Sequence, residues 1–425
     1  MKAKIYPLNV IPNEIEANAS PFCLHLEIIC ASLAKGTSII KNTLSSHEID
    51  TTISWCKAIG ANIRKSNEKY IIKGIDNNIK YKNSLFVCGN SSTTAKMMIP
   101  LLCSVQQPFG VKTNEEIFQE LCEYQSLFES YGISFFVEKE MIRFEKIMEA
   151  KESEFDGDMD IALVAGLFLA FPLLNKQSVL KLRAPVRSEE NYVTILRILK
   201  HFHIDIKHPA TMRYEINGNQ LYKHCKIRTE MDKFLLSHKV LLSQKLETTN
   251  SILKIFNYNG GSTQESTKLF SFIKKNIIDF AFHFPKKAIK KKTINFHKME
   301  NNVENSLPLL MVLGVLNQQD CIITHIDFSK NRVKKQFAIL SKIFTKLGLD
   351  YSSFENEVII HPSKVKEKKQ IDCENDPYIA MAITYLAILS DVPIIIKNAD
   401  CIYNLYDNFF NDLKRYGVLI DFIHN

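Results

Sequence analysis

Six apolar stretches with helical character recur along the chain at intervals of about 70 residues. Each follows a short polar run rich in Asn, Asp or Ser, whose side chains accept hydrogen bonds from the free amides of a first helical turn. The predicted helices begin near Asn18, Asn90, Asp158, Glu230, Asn305 and Asn375. Self-similarity at a fixed period indicates one supersecondary unit copied along the chain. We therefore expect six related units.

A β-branched run and a second, amphipathic helix follow each apolar helix. The runs begin at Ser38, Phe109, Ser178, Ser251, Cys321 and Val392. Apolar residues spaced three and four apart predict amphipathic helices at residues 48–59, 116–131, 190–202, 263–275, 333–347 and 403–416. The pattern predicts an α/β protein of two similar domains with three repeats each. An ordinary doubly wound sheet with coincidental spacing is the alternative.

Chain length and composition fit this division. With 425 residues, 46% of them apolar, the chain is too long for one core and suits two domains of roughly 200 residues. The apolar segments at 161–174 and 379–389 are shorter than the roughly 20 residues of a membrane helix, and the first residues lack signal-peptide features. We expect a cytoplasmic protein without a membrane span.

The ten cysteines and twelve histidines predict neither disulfides nor a metal site. The cysteines are scattered without a Cys-x-x-Cys pair, which is typical of reduced, buried thiols. The histidines show no metal-ligand spacing. We assign no metal and no cofactor.

The formal net charge of +8 favours an anionic partner, either a phosphorylated small molecule or a nucleic acid. The lysine-rich segment 286–292 is interpreted as a solvated loop. If three units pack around an axis, their buried helices point their amino termini the same way, and such termini attract phosphate or carboxylate groups. We therefore expect an anionic small molecule in a cleft between the two domains.

Four segments resemble the enolpyruvyl transferase family in order and spacing, within a likeness that spans nearly the whole chain. They cover residues 26–63, 89–102, 184–202 and 375–389. The resemblance implies an inside-out α/β barrel in each domain, built from three βαβαββ-type repeats. We expect a discontinuous domain of residues 1–14 with 229–425 and an inserted domain of residues 15–228.

The resemblance also implies an activity. The family transfers the enolpyruvyl group of phosphoenolpyruvate to a hydroxyl, usually the 5-hydroxyl of shikimate 3-phosphate in aromatic amino acid biosynthesis, and releases phosphate. Residues at matching family positions are then candidate substrate-binding residues: Asn90, Thr93, Lys96, Ser188, Lys330, Arg332 and Asp376.

Several family positions carry different residues here. Ser20 and His25 stand at the positions of a lysine and an arginine that bind both substrates, and Asp160 stands where a serine contacts a phosphate. Asn305 stands at the catalytic aspartate and Asn404 at a late lysine. Cations and a proton-transfer base are thus lost. We assign no catalytic residue.

Three hypotheses follow. The first is a diverged member of the family that binds without chemistry, a candidate pseudoenzyme, or that acts on a less phosphorylated substrate. The second is an active enolpyruvyl transferase of the shikimate pathway. The third is a nucleic-acid-binding relative of the RNA 3′-phosphate cyclases, which share a similar repeat. The absence of the cyclase histidine signature and of basic residues interleaved with aromatics counts against the third.

Overall fold

The computed structural model describes residues 1–9, 14–67, 69–157, 159–184, 189–245, 252–256, 267–276, 278–283, 286–291, 298–300 and 305–423. The chain divides into two compact units. The discontinuous unit comprises Met1–Asn18 and Met231–Asn425, and the inserted unit comprises Ala19–Glu230.

The described residues form strands and helices throughout both units. The strands are β1 Lys2–Ile5, β2 Glu14–Glu16, β3 Thr37–Lys41, β4 Asn62–Ser66, β5 Lys69–Lys73, β6 Leu85–Gly89, β7 Phe109–Thr113, β8 Ser134–Glu138, β9 Met141–Glu145, β10 Glu152–Asp156, β11 Ser178–Arg183, β12 Ile206–Ala210, β13 Arg213–Ile216, β14 Lys226–Arg228, β15 Ile252–Phe256, β16 Ile278–His283, β17 Lys286–Lys291, β18 Lys298–Glu300, β19 Cys321–Thr324, β20 Tyr351–Ser353, β21 Val358–Ile360, β22 Lys369–Asp372, β23 Ile394–Lys397 and β24 Ile420–Ile423. The α-helices are α1 Pro21–Leu33, α2 His47–Ala58, α3 Ser92–Leu102, α4 Glu115–Cys122, α5 Gln125–Ser130, α6 Ile161–Ala170, α7 Glu189–His201, α8 Lys233–Lys239, α9 Thr267–Asn276, α10 Leu307–Val315, α11 Asn331–Leu347, α12 Pro377–Leu389 and α13 Phe409–Arg415. Short 3₁₀ helices lie at Phe171–Leu173, Val240–Lys245 and Ala399–Asn404.

Every sheet among the described strands has four strands in the same arrangement: one parallel pair, followed by two antiparallel pairings. In the inserted unit the strand orders are β14-β3-β5-β4, β6-β7-β9-β8 and β10-β11-β13-β12. In the discontinuous unit they are β16-β17-β15-β2, β18-β19-β21-β20 and β22-β23-β1-β24. The predicted α/β class with three repeats in each of two units is confirmed. The alternative of a doubly wound sheet is wrong, because parallel pairing stops after one strand pair in each sheet.

The long apolar helices form the cores because they are hydrophobic on all sides and cannot face water. Residues 94–102 of α3 and 162–170 of α6 are all buried in the inserted unit. Helix α6 approaches α3 closely at Gly166, where a Cβ atom would lie 2.5 Å from the carbonyl oxygen of Lys96. In the discontinuous unit, residues 307–315 of α10 and 379–388 of α12 are buried in the same way.

Strand β1 completes a sheet whose other strands come from the far end of the sequence. Lys2 lies opposite Lys397 of β23 on one side and opposite Ile423 of β24 on the other. Both pairings are antiparallel. The first strand of the chain is therefore an inner strand of the sheet.

Three sequence-based assignments need correction. The helix predicted at 116–131 is two helices, α4 and α5, because a tighter turn, in which the amide of Tyr124 bonds to the carbonyl of Leu121, interrupts it. The helix predicted at 403–416 is a 3₁₀ helix followed by α13, because tighter turns, in which the Leu405 amide bonds to the Ile402 carbonyl and the Phe409 amide to the Tyr406 carbonyl, interrupt it. Residues 286–291 of the lysine-rich segment form strand β17 and not a loop; Lys292 lies outside the described residues.

No helix in the described ranges has both the length and the apolar character that crossing a bilayer requires.

Candidate functional site

The amino termini of the buried helices in the inserted unit are capped by side chains of the protein itself. Ser20 Oγ accepts a hydrogen bond from the Cys23 amide at 3.4 Å, and Ser91 Oγ accepts one from the Thr94 amide at 3.3 Å. Asp160 Oδ1 accepts from the amides of the second and third residues of α6, at 2.8 and 3.3 Å. The amides that could have bound an anion are thus partly engaged at each terminus.

Lys96 lies among acidic side chains at these termini. Its side chain is 5% exposed, its Nζ is 2.7 Å from Asp160 Oδ2, and it also contacts Glu120 Oε1. Burial alone would lower the pKa of Lys96, but the Asp160 and Glu120 carboxylates outweigh it and hold the pKa above its usual value. Ser92 Oγ donates to the other Glu120 oxygen at 2.6 Å. With both carboxylates ionised, this acidic cluster of Lys96, Glu120 and Asp160 carries one net negative charge.

Asn90 and Thr93 flank the capping residue Ser91. Asn90 is exposed, and its Oδ1 accepts from Asn114 Nδ2 at 2.8 Å. Thr93 is half-buried in the first turn of α3. The structure therefore brings Asn90, Thr93 and Lys96 to one helix terminus.

His25 belongs to a chain of buried polar contacts. Its Nδ1 is 2.6 Å from Thr52 Oγ1, which is 2.6 Å from Thr94 Oγ1, and Thr94 Oγ1 is 2.7 Å from Ser91 Oγ. Within the described part of the chain, His25 Nε2 has no hydrogen-bond partner and lies 3.9 Å from Glu48 Oε2. Burial lowers the pKa of His25 to about 3. A neutral imidazole thus stands where the family resemblance implies an arginine.

Ser188 lies outside the described residues, so its predicted role stays a prediction. The nearby Arg183 is exposed, and its Nε forms an ion pair with Asp156 Oδ1 at 3.0 Å.

In the discontinuous unit, Asp376 and Arg332 both lie beside Tyr378. Asp376 Oδ1 caps α12 by accepting from the Tyr378 and Ile379 amides at 2.9 and 3.0 Å, and its Oδ2 accepts from Gln336 Nε2 at 3.0 Å. The Arg332 guanidinium lies 5.3 Å from the centroid of the Tyr378 ring.

Lys330 and Asn305 adjoin these residues. Lys330 is exposed at the start of α11. Gln336 Nε2 also lies 3.5 Å from Asn305 Oδ1, so an amide occupies the family position of the catalytic carboxylate.

Sequence reasoning missed several polar residues of the inserted unit: Glu48, Thr52, Thr94 and Glu120. Each lies at or near a helix amino terminus or on an amphipathic helix, but nothing in the local sequence indicates its partner. Among the described residues, no group of three or more His, Cys, Asp or Glu side chains is placed to hold a metal ion.

The architecture is that of the enolpyruvyl transferases. An EPSP synthase from Acinetobacter baumannii superposes with a TM-score of 0.80 at 14% identity, covering 99% of this chain and all of the other. The enolpyruvyl transferase NikO from Streptomyces tendae superposes with a TM-score of 0.77 at 11% identity, covering 99% of this chain and 98% of the other.

Sequence comparison identifies the family within this class. Residues 9–413 match the family EPSP synthase (3-phosphoshikimate 1-carboxyvinyltransferase). The chain is 25% identical to the 3-phosphoshikimate 1-carboxyvinyltransferase of Clostridium perfringens (strain 13 / Type A), covering 99% of both chains, and 23% identical to that of Methanococcus maripaludis (strain C6), covering 96% and 97%. This chain belongs to the EPSP synthase family, which confirms the resemblance inferred from its segments.

Proposed function

We propose that this protein is a diverged EPSP synthase family member that binds an anionic small molecule with less phosphate than the family's substrate pair. Ordinary enolpyruvyl transfer from phosphoenolpyruvate is not its main activity. The observation that carries the proposal is the pairing of Lys96 with two carboxylates. A lysine attracts a phosphate strongly only when neighbouring carboxylates do not offset its positive charge.

Electrostatics gives the size of the effect. Two unit charges about 5 Å apart interact by about 3 kcal/mol at an effective dielectric constant of about 20. Attraction of a phosphate to Lys96 is therefore offset by repulsion from Asp160 and Glu120, the two carboxylates at its Nζ. His25 adds no positive charge at neutral pH, because burial lowers its pKa to about 3.

The catalytic positions support the same conclusion. Asn305 cannot serve as a carboxylate base, and its side chain lies in contact range of the Gln336 amide. Losing a proton-transfer group costs roughly two to four orders of magnitude in rate.

The family match over residues 9–413 favours the competing function, transfer of the enolpyruvyl group to shikimate 3-phosphate.

We further propose that the protein acts in the cytoplasm. All ten cysteines are free thiols, and eight of them are buried. This is typical of a reducing compartment.

One experiment compares shikimate, shikimate 3-phosphate and phosphoenolpyruvate as ligands by calorimetry and follows phosphate release from the last two together. We expect shikimate or another weakly charged ligand to bind and phosphate release to stay at background. Phosphate release at 1 s⁻¹ or faster, on the order of ordinary enzyme turnover, would instead establish the competing function.

A variant tests the electrostatic argument itself. Glu120→Gln removes one carboxylate from Lys96, so affinity for phosphoenolpyruvate should rise about tenfold, less than the full Coulomb term because Glu120 reaches solvent. The matched control is Glu123→Gln, which changes an exposed glutamate next to the same helix. An equal rise in both variants would show that overall charge, and not the pairing of Lys96, controls binding.

A further inference from the structure

Three polar side chains form a hydrogen-bonded chain on one face of the sheet β18-β19-β21-β20. His361 Nδ1 is 3.0 Å from Asp320 Oδ1, and His361 Nε2 is 3.2 Å from Ser352 Oγ. Asp320 is exposed, while Ser352 and His361 are half-buried. None of these residues belongs to the candidate substrate site.

The register of the sheet places all three on the same face. Ser352 lies opposite Ile359 of β21, and His361 follows two residues after Ile359. Asp320 precedes Cys321, which lies opposite Ile360. Since side chains alternate between faces along a strand, and directly opposed residues share a face, Asp320, Ser352 and His361 project together.

The opposite face of this sheet packs on helices, which fixes the strands beneath the three side chains. The ring of Tyr351 lies 5.9 Å from that of Phe344 in α11. A Cβ atom at Gly314 of α10 would lie 2.8 Å from Ile360. The His361 amide donates to the Asp350 carbonyl at 3.1 Å, so the histidine backbone is held as well.

The hydrogen positions follow from the chemistry of the partners. A carboxylate only accepts hydrogen bonds, so Nδ1 of His361 carries the proton and donates to Asp320. The Nε2 atom then has a lone pair and accepts from the Ser352 hydroxyl. In this arrangement Nε2 can take the hydroxyl proton of Ser352, which activates a serine as a nucleophile.

A backbone amide and an apolar surface lie beside the serine, where an oxyanion and an acyl group would need them. Among the described strands, β20 is an edge strand of its sheet. The Phe354 amide donates to the Glu357 carbonyl, so the backbone amides and carbonyls of residues 352 and 354 point towards β21. The amide of the intervening Ser353 therefore points to the open edge of the sheet. Phe354, which is 60% exposed, and Ile359 share the face of Ser352 and offer contact to a small acyl group.

We propose that Ser352, His361 and Asp320 form a second active site that hydrolyses esters of small apolar acids. Ser352 Oγ attacks the carbonyl carbon and passes its proton to His361 Nε2. The ester C–O bond breaks, and the leaving alcohol takes that proton. A water molecule then attacks the acyl carbon and gives a proton to Nε2, the Oγ–C bond breaks, and Ser352 recovers the proton, so the products are one alcohol and one carboxylic acid. Asp320 acts as a positioning residue.

This site is independent of the proposed function, and its test uses p-nitrophenyl acetate with the full chain. We expect hydrolysis above the buffer rate, with Ser352→Ala reducing the excess rate at least tenfold, on the order of the loss of a nucleophile. The control Ser329→Ala removes an exposed serine that bonds to Asp327, and should leave the rate unchanged. Equal rates for Ser352→Ala and the native protein, with matching thermal unfolding, would refute the proposal.

A second measurement follows the serine directly. A fluorophosphonate probe should form one adduct, mapped by mass spectrometry to the peptide that contains Ser352. Asp320→Asn should slow this labelling about tenfold or more, because an asparagine amide can donate to Nδ1 and reverse the histidine tautomer. Labelling at Ser329 to the same extent, or no adduct at Ser352, contradicts the proposal.

Discussion

The buried carboxyl group of Glu27 should make the stability of the protein depend on pH. The residue lies in α1 and is 2% exposed, and its Oε2 accepts a hydrogen bond from Thr229 Oγ1 at 2.5 Å. Burial raises the pKa of Glu27 from 4.5 to about 8, although the Thr229 hydrogen bond and the Arg197 charge oppose the shift. The folded protein therefore binds a proton here that the unfolded chain releases at neutral pH.

The sign of the pH dependence follows. Between pH 4.5 and about 8 the folded state holds more protons at Glu27 than the unfolded state, so the free energy of unfolding falls as the pH rises. The stabilising contribution is complete below pH 4.5 and lost by about pH 8. Between pH 5 and 7 linkage gives a loss of about 2–3 kcal/mol.

The substitution Glu27→Gln keeps the shape of the side chain and removes its titration. We would follow chemical unfolding of the native protein and of this variant from pH 5 to 7. Over this range the free energy of unfolding of the native protein should fall by about 2–3 kcal/mol more than that of the variant. The exposed Glu123→Gln serves as the control and should follow the native profile. Parallel profiles for Glu27→Gln and the native protein would refute the argument from burial.

Three further substitutions test packing and capping by thermal or chemical unfolding. Lys96→Met leaves Glu120 and Asp160 without their cation and should cost about 2–3 kcal/mol, below the usual range for buried pairs because both carboxylates reach solvent; unchanged stability would mean that the pairing contributes nothing. Gly166→Ala places a Cβ 2.5 Å from a carbonyl of α3 and should cost about 1–3 kcal/mol, whereas a neutral result would mean that the helices can move apart. Asp376→Ala removes the cap of α12 and should cost about 1 kcal/mol, while Asp376→Asn should retain most of that stability.

The repeats were predictable because each carries its own local signals. Apolar helices, polar caps and glycines such as Gly348, which has a φ of 68° at the end of α11, depend on neighbours in sequence. The ends of amphipathic helices were less predictable. Apolar spacing continues through residues 403–416, although Asn404 and Asn408 have low intrinsic helix propensity.

The polar contacts of the site could not be predicted in the same way. The sequence shows a lysine at position 96 but not that Glu120, from a different helix, reaches it. Thr52 and Thr94 come from α2 and α3 and meet only because those helices pack together. Such pairings depend on tertiary packing, which local periodicity does not encode.

The position of β1 has a consequence for synthesis on the ribosome. Residues 2–5 are translated long before their strand partners, β23 and β24, which lie at residues 394–423. The inserted unit, by contrast, draws all its sheet partners from within Ala19–Glu230 and can fold while translation continues. The nascent chain thus carries an unpaired strand until residues 394–423 have been translated, and chaperones that recognise exposed strands have that interval in which to bind it.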